Sequence, residues 1–374
     1  MVRRNASRGS KGLVTALAGY LRTVDIPLLA GTVVLCVAGV LNLWGVGGAD
    51  HVLVKRQVIF VAAGLGLMVA CSFLNWRYLK NWSLPVMLVY GVAVVLLALT
   101  LAFPEIRGIR AWIVLGWFRL EPSELAKLAL VVLLAKYFSA RHAHIGQLRH
   151  IIVSGIYFAV PTGIILIQPD LGSAGILVLI WGAMLLSAGI SRRHLFALLA
   201  LAVIGSYLAW VYALAPYQQE RILAFIDPYQ DPTGYGYHII QSRIAIGSGH
   251  IWGQGLGDGS QAQLGFLPEP YNDFAFAAFA EQLGIAGIAV LLGASALVGY
   301  RILVIGRNAS NNFSRLFCIG IATIFLAHVI VSSSVNLGLM PITGLPFSFL
   351  SYGGSHLFAL MIGIGTVQSM KRYA

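Results

Sequence analysis

Apolar residues run in long stretches along most of the chain, and polar positions collect in the segments between them. A helix needs about 20 largely apolar residues to cross a bilayer. Ten stretches qualify, approximately Ile26–Val46, Val58–Leu74, Leu84–Phe103, Pro122–Ala140, Ile151–Ile167, Leu171–Ile190, Leu195–Ala215, Asp273–Val304, Leu316–Asn336 and Phe347–Met370. The pattern predicts an all-α polytopic membrane protein with ten transmembrane helices. One connection differs from the rest. Pro216–Asn272, between spans seven and eight, has no apolar run long enough to span, yet it carries aromatic and aliphatic residues throughout. A long segment of that kind in a compact fold is functional or disordered, and its composition predicts a large folded outer loop. The expected organisation is a basic N-terminal segment (1–25), one membrane domain (26–370, with the loop at 216–272) and a short C-terminus (371–374). The basic stretch Met1–Leu21 precedes an apolar run too long for a cleaved signal peptide, so an uncleaved anchor is expected.

Composition agrees. Only 10 % of the 374 residues are charged, against roughly 25 % in soluble domains, and the mean hydropathy is +0.82. An ordinary soluble domain is excluded, and so is a disordered chain. The net charge of +12 could suggest nucleic acid, but the basic residues are scattered among apolar runs rather than gathered in one patch. They sort by topology instead. With the N-terminus in the cytoplasm, most of the 25 basic residues lie inside, from Arg3 and Lys11 through Arg77, Lys80, Lys136, Arg192 and Arg301 to Lys371 and Arg372. Lys55, Arg56, Arg107, Arg110, Arg119, Arg221 and Arg243 lie outside, and Lys127 lies within a span. Of the 13 acids, only Asp25 falls on the inner side. The others, among them Asp50, Glu121, Glu124, Asp170, Glu269 and Asp273, lie in outer loops or outer halves of helices, which points carboxylate chemistry to the outer face. Cys36, Cys71 and Cys318 all fall in apolar runs, as core residues do.

Several polar positions interrupt this pattern. Glu124 and Lys127 follow Pro122 at i and i+3, one helix face, and charges inside a span usually face a polar cavity. They read either as an ion pair that orders packing or as a cavity wall that binds substrate or a cation. Asp170 suits an N-cap, a cavity carboxylate, or both. Asp273 stands where the long loop enters the eighth span, a setting that can raise a carboxyl's pKa and fit it for general base work; an N-cap is the plainer alternative. Glu281, about 12 Å deeper at 1.5 Å per residue, is expected to pack or to support. Arg221 and Arg243 are outer-loop cations shaped for an anion such as a lipid pyrophosphate, or simply surface residues. Between them and Asp273 lies a run with Gly247, Gly249, Gly253, Gly255, Gly257 and Gly259, which could approach phosphate or merely turn. A P-loop is absent, as is Ser-x-x-Lys, and no His/Cys cluster suggests zinc.

Long motifs in order carry a resemblance: Pro122-Ser123-Glu124…Lys127, Gln168-Pro169-Asp170-Leu171-Gly172, Ile244-Ala245-Ile246-Gly247-Ser248-Gly249, Phe266-Leu267-Pro268-Glu269…Asp273-Phe274, and Asn336…Pro341…Gly344-Leu345-Pro346…Ser351-Tyr352-Gly353-Gly354-Ser355. The chain resembles the SEDS family of bacterial membrane glycosyltransferases, its RodA branch more than its FtsW branch. The resemblance implies ten spans in the cytoplasmic (inner) membrane with both termini inside. It also implies polymerisation of lipid II into a growing glycan strand at the outer face, in support of cell elongation and rod shape. Asp273 matches the family's essential aspartate; Glu124, Lys127 and Asp170 match its polar-cavity residues, and Ser351 lies in its last motif. A class B penicillin-binding protein and the bacterial elongation machinery would be partners, with no nucleic acid. No organic cofactor is expected. A divalent cation, Mg2+ or Mn2+, could sit near Glu124, Asp170 or Asp273. Alternatives are a lipid II flippase, a division-specific FtsW-type polymerase, or a pure scaffold. The chain departs from the family pattern at Glu121 in place of Gln, Ala111 before Trp112 in place of Arg, Tyr271-Asn272 in place of His-Thr, His250 in place of Gly and Ser348 in place of Pro.

Overall fold

The computed structural model describes residues 23–47, 51–105, 108–141 and 147–373. The expectations for Met1–Leu21, Asp50 and Arg107 fall outside these. All ten expected spans are helical: α1 (Ile26–Val46), α2 (Val52–Phe73), α4 (Ser83–Thr100), α5 (Pro122–Ser139), α6 (Leu148–Ile167), α7 (Leu171–Ala188), α8 (Arg192–Leu208), α12 (Ala275–Arg307), α13 (Asn312–Asn336) and α14 (Gly354–Arg372). A short helix, α3 (Arg77–Asn81), links α2 to α4. Eight of the ten are long and apolar enough to cross a membrane by themselves; α5 and α14 are the exceptions. α5 is instead the most enclosed, buried at nearly every position from Pro122 to Phe138. It forms the middle of the bundle with α13 and α14 around it. The chain is a multi-pass membrane protein.

The long outer loop is folded, as expected, into α9 (Pro216–Ile226), a 3-10 turn (Pro228–Gln230), α10 (Tyr235–Ser248) and α11 (Ser260–Gln263). What fixes it is a break in α12 that the pattern did not reveal. Gly284 takes φ 64° and ψ −164° inside the helix. The main-chain groups this frees are met by the loop: Ile285 N donates to His250 O and Ala286 N to Ile251 O, each at 3.0 Å, and Gln254 N donates to Glu281 O at 2.9 Å. A backbone polar group left unpaired at membrane depth costs several kcal/mol, on the order of a lost hydrogen bond in hydrocarbon, so the break and the docked loop require each other. Gly253 packs so closely that a Cβ would lie 2.0 Å from Gln282 O. The glycine run is therefore a docking strand of tight turns rather than a phosphate cradle. Glu281 completes the attachment, accepting from Gln261 N at 2.7 Å and Ala262 N at 3.2 Å.

Three expectations need correction. The outer loop between the third and fourth spans contains a small antiparallel hairpin, β1 (Ile113–Leu115) and β2 (Phe118–Leu120), turning at Gly116 with φ 64°; the described residues are otherwise helical or irregular. The last helix starts at Gly354 rather than near Phe347, because 347–353 forms a tight turn with Phe349 at φ 65°. Finally, α12 starts at Ala275, and its N-cap position is Phe274 with no side-chain cap, so Asp273 is not a helix cap.

At the end expected to face the cytoplasm, the inner end, the sorted charges meet. Asp25 caps α1 and accepts from Arg301 Nη2 at 2.5 Å and Lys371 Nζ at 2.9 Å. This joins α1, α12 and α14 through three residues all assigned to the cytoplasmic side.

Candidate functional site

A cavity of about 650 Å³ opens between the outer ends of the bundle and the outer loops. Four of the seven singled-out residues line it: Asp170, Arg221, Asp273 and Ser351. Each is set by local structure. Asp170 caps α7, accepting from Ser173 N at 2.9 Å, so both of its expected roles are compatible. Arg221, on α9, lies over the rings of Tyr235 and Tyr217 at 5.1 and 5.6 Å, which holds its guanidinium without neutralising it. Asn336 secures the start of α12: its Nδ2 donates to Asp273 O at 2.8 Å, and its Oδ1 accepts from Ala277 N at 2.9 Å. Ser351 Oγ donates to Asn272 O at 2.7 Å and accepts from Phe347 N at 2.9 Å. It acts on the main chain next to Asp273 rather than as a free hydroxyl.

The remaining three are elsewhere. Glu124 and Lys127 pair as their spacing predicts, Nζ to Oε1 at 2.7 Å, but they are 2 % and 0 % exposed and stand behind the cavity wall. The reason is that α5 is wrapped on all sides, so its polar face meets α13 and α14. His328 Nε2 lies 3.3 Å from Lys127 Nζ, and His356 Nδ1 donates to Glu124 Oε2 at 2.9 Å. Arg243 turns away from the cavity to donate to Leu337 O and Gly338 O, at 3.3 and 3.0 Å; it caps the C-terminus of α13, where a cation is favourable.

Sequence reasoning did not select Arg56, Arg119, Glu121, Glu269 or His356, which also line the cavity. Arg56 and Arg119 had been counted as outer charges that topology does not require, and that was the available signal. Glu121 is one of the outer acids and a departure from the family pattern, and neither signal by itself singles it out. Burial, with the nearby Glu124 charge adding to it, pushes its carboxyl up to about 7. Its Oε1 accepts from Ser123 Oγ at 2.8 Å, and its main-chain N–H donates to Ser355 Oγ at 3.0 Å. The cavity thus sets the carboxylates Glu121, Asp170, Glu269 and Asp273 against three arginines.

Among the described residues, one buried cluster and the cavity wall offer cation ligands. Glu124, His328 and His356 bring one ligand atom each within 4.8 Å of one another, but Lys127 already bonds two of the three. A divalent ion would meet an ammonium there, so this position does not fit one. The cavity residues Asp170 and Asp273 are hard oxygen donors of the kind Mg2+ and Mn2+ prefer, so by donor chemistry alone this wall suits such an ion.

Comparison with known proteins gives a consistent result. Residues 19–374 match the FtsW/RodA/SpoVE family, described as cell cycle proteins. The chain is 34 % identical over 351 residues to the peptidoglycan glycosyltransferase MrdB of Escherichia coli (strain K12), covering 94 % of each chain. It is 34 % identical over 325 residues to stage V sporulation protein E of Bacillus subtilis (strain 168), covering 86 % of this chain and 87 % of that one. Among solved structures it resembles the Thermus thermophilus rod shape determining protein RodA (29 % identity, TM-score 0.69, covering 93 % of this chain and 97 % of that one). It also resembles a chain from work on the structural coordination of polymerization and crosslinking by a peptidoglycan synthase complex (33 % identity, TM-score 0.78, covering 94 % and 98 %). The family match spans residues 19–374 and the likeness to relatives and solved structures covers most of each chain: the chain belongs to the FtsW/RodA/SpoVE family, the SEDS proteins.

Proposed function

We propose that the chain is a peptidoglycan glycosyltransferase of the RodA type, polymerising lipid II at the outer face of the bacterial cytoplasmic membrane with both termini inside. The observation that carries this is the cavity itself: Asp273, held by Asn336 through its carbonyl, shares one wall system with Arg221, Arg56 and Arg119 at the outer end of a membrane bundle. Paired carboxylate and guanidinium groups suit a reaction in which a hydroxyl loses its proton while a pyrophosphate departs. Asp273 takes the proton from the acceptor sugar's hydroxyl as that oxygen bonds to the donor's anomeric carbon. The bond from that carbon to the pyrophosphate breaks, and the leaving undecaprenyl pyrophosphate carries away the electron pair. Arg221 offsets its charge, since guanidinium matches phosphate oxygens in geometry; Arg56 and Arg119 extend the same positive wall. A divalent cation bound by Asp170 and Asp273 would supply further charge neutralisation for the pyrophosphate. Glu124 and Lys127 serve from behind the wall, and Arg243 holds the end of α13.

The substrate's lipid tails remain in the bilayer during the reaction. The apolar surface of α8, which buries none of its residues, suits such neighbours. Transpeptidation needs an acyl-forming serine. The missing Ser-x-x-Lys assigns that step to a class B penicillin-binding protein, and the likeness to a chain of a peptidoglycan synthase complex supports the pairing.

The test uses the full chain purified with its penicillin-binding partner and given lipid II and Mg2+ or Mn2+. Glycan strands of many sugars are the expected product. Movement of lipid II across vesicles with no strand formed would replace this reading with the flippase.

A further inference from the structure

The buried pair Glu124–Lys127 does not reach the cavity, yet a continuous set of contacts leads from it to the main chain beside Asp273. Glu124 Oε2 accepts from His356 Nδ1 at 2.9 Å. His356 Nε2 lies 3.3 Å from Ser348 Oγ, and that hydroxyl is also 3.2 Å from Phe325 O. Ser348 belongs to the 347–353 turn, which closes on itself through Phe347 N to Ser351 Oγ and Ser351 N to Phe347 O, at 2.9 and 3.1 Å. From the turn, Ser351 Oγ donates to Asn272 O at 2.7 Å and Tyr352 N donates to Tyr271 O at 2.8 Å. The other ends of the set are also anchored. Lys127 is held by His328, whose Nδ1–H donates to Pro346 O at 3.0 Å, one residue before the turn.

The turn needs such anchoring. Phe349 sits at φ 65°, in the left-handed region, and is almost fully buried. A bulky non-glycine residue stays there only when its surroundings impose it. On the other side α1 presses against the turn so closely that a Cβ on Gly39 would lie 2.2 Å from Phe349 O. Packing and polar contacts together fix a conformation that the turn's own sequence does not favour.

We propose that His356 is a positioning residue: it ties the Glu124–Lys127 pair on α5 to the 347–353 turn, and through Ser351 that turn fixes the main chain carrying Asp273. The buried ion pair then acts on the reacting carboxylate across the wall without touching substrate. Ser348 supplies the hydroxyl that faces His356 Nε2. The kinetic part of this rests on Asp273 being the base; the structural part does not, and the test separates them.

The experiment follows amide hydrogen exchange by mass spectrometry over 271–274 and 347–353, in the full-length chain in lipid nanodiscs, alongside lipid II polymerisation by the same preparations with the penicillin-binding partner. His356→Ala should speed exchange in both segments about tenfold and lower kcat by about 10–100-fold with KM nearly unchanged, the scale of a misplaced catalytic group. His356→Gln, whose amide can donate to Glu124 and accept from Ser348, should restore most of both. Ser348→Ala should produce the same change at a few-fold scale. Unchanged exchange in folded His356→Ala overturns the tether. So does a His356→Gln chain as loose as His356→Ala, because a general packing defect would not be relieved by a side chain with matching hydrogen bonds. Faster exchange with full polymerisation keeps the structural tether and overturns His356 as a positioning residue for catalysis, leaving the base to be tested by Asp273→Asn.

Discussion

Two buried carboxylates, Asp25 and Glu124, are each paired with two basic side chains, and they do opposite things. Asp25 stands at the inner end of the bundle, where Arg301 and Lys371 reach it from the half-exposed rim. Glu124 stands toward the outer end with Lys127 and His356, all three buried. The two sites are about 22 Å apart along α14, from His356 to Lys371 at 1.5 Å per residue. Burial alone would raise the Asp25 carboxyl, but hydrogen bonds from Arg301 and Lys371 overcome it and hold the group below its ordinary range. Its cations keep access to water, so the cluster closes the inner end at modest desolvation cost. In the Glu124 cluster the Glu124–Lys127 pair has almost no such access, and only His356 reaches the cavity wall. Fully enclosed ion pairs rarely repay their desolvation, so this pair is better suited to placing neighbouring groups than to adding stability. The inner site is a clasp; the outer one is a frame for the cavity.

The comparison breaks first, and hardest, at Lys127. Lys127→Met leaves Glu124 enclosed with His356 alone and should cost about 3–5 kcal/mol, the usual penalty for half of a buried pair. Thermal unfolding in detergent measures it, and Glu124→Gln added to Lys127→Met should recover most of the loss. If the single variant melts like the parent, the outer frame is not a coupled unit.

At the inner end the loss should be smaller. Arg301→Ala keeps Lys371 on Asp25 and should cost about 2 kcal/mol, less than a fully enclosed pair, with polymerisation nearly unchanged at a temperature where the variant stays folded. The sign of the pH effect follows from the lowered carboxyl. The stability that Asp25 contributes is present above its unfolded value near 3.8 and is lost as pH falls through the lower folded value. The difference between parent and Arg301→Ala should therefore shrink in strong acid.

The smallest effect belongs to Glu121, with the opposite sign. Its folded value, about 7, exceeds the ordinary 4.5, so the stability it contributes is full below pH 4.5 and lost as pH rises through 7. Glu121→Gln should melt like the parent at pH 4.5 and measurably higher at pH 8, because only the ionised parent carries the penalty of burial. Equal melting at both pH values would mean that Glu121 is not held against ionisation.

The helices were legible because each span must satisfy its own backbone in lipid, which leaves long apolar runs in the sequence. The sorting of acids and bases was legible for a related reason, and it brought Asp25, Arg301 and Lys371 to one end before any contact was known. Asp273, Asp170 and Ser351 are legible as motif residues and Arg221 as an outer-loop cation, and the structure brings all four to one cavity. What escaped depends on pairing across the fold. The hairpin at Gly116 is three residues per strand, too short for periodicity to show. The break at Gly284 looks like any helix glycine until residues 250–251 occupy the freed backbone. His328 and His356 lie in separate helices, and neither is remarkable by spacing; only packing around α5 unites them. The same packing explains why Glu124 and Lys127, correctly paired, lie behind the wall rather than in it, and why Arg243 serves a helix end.

The central claim is that Asp273 removes the proton from the acceptor hydroxyl. The most direct measurement is the rate of strand formation from lipid II by the purified complex carrying Asp273→Asn, which keeps the side chain's size and removes its basicity. Loss of about 10²–10⁴-fold in kcat, the range of general base catalysis, with the variant folded and lipid II still bound, is the predicted result. Polymerisation at the parent rate would contradict the account.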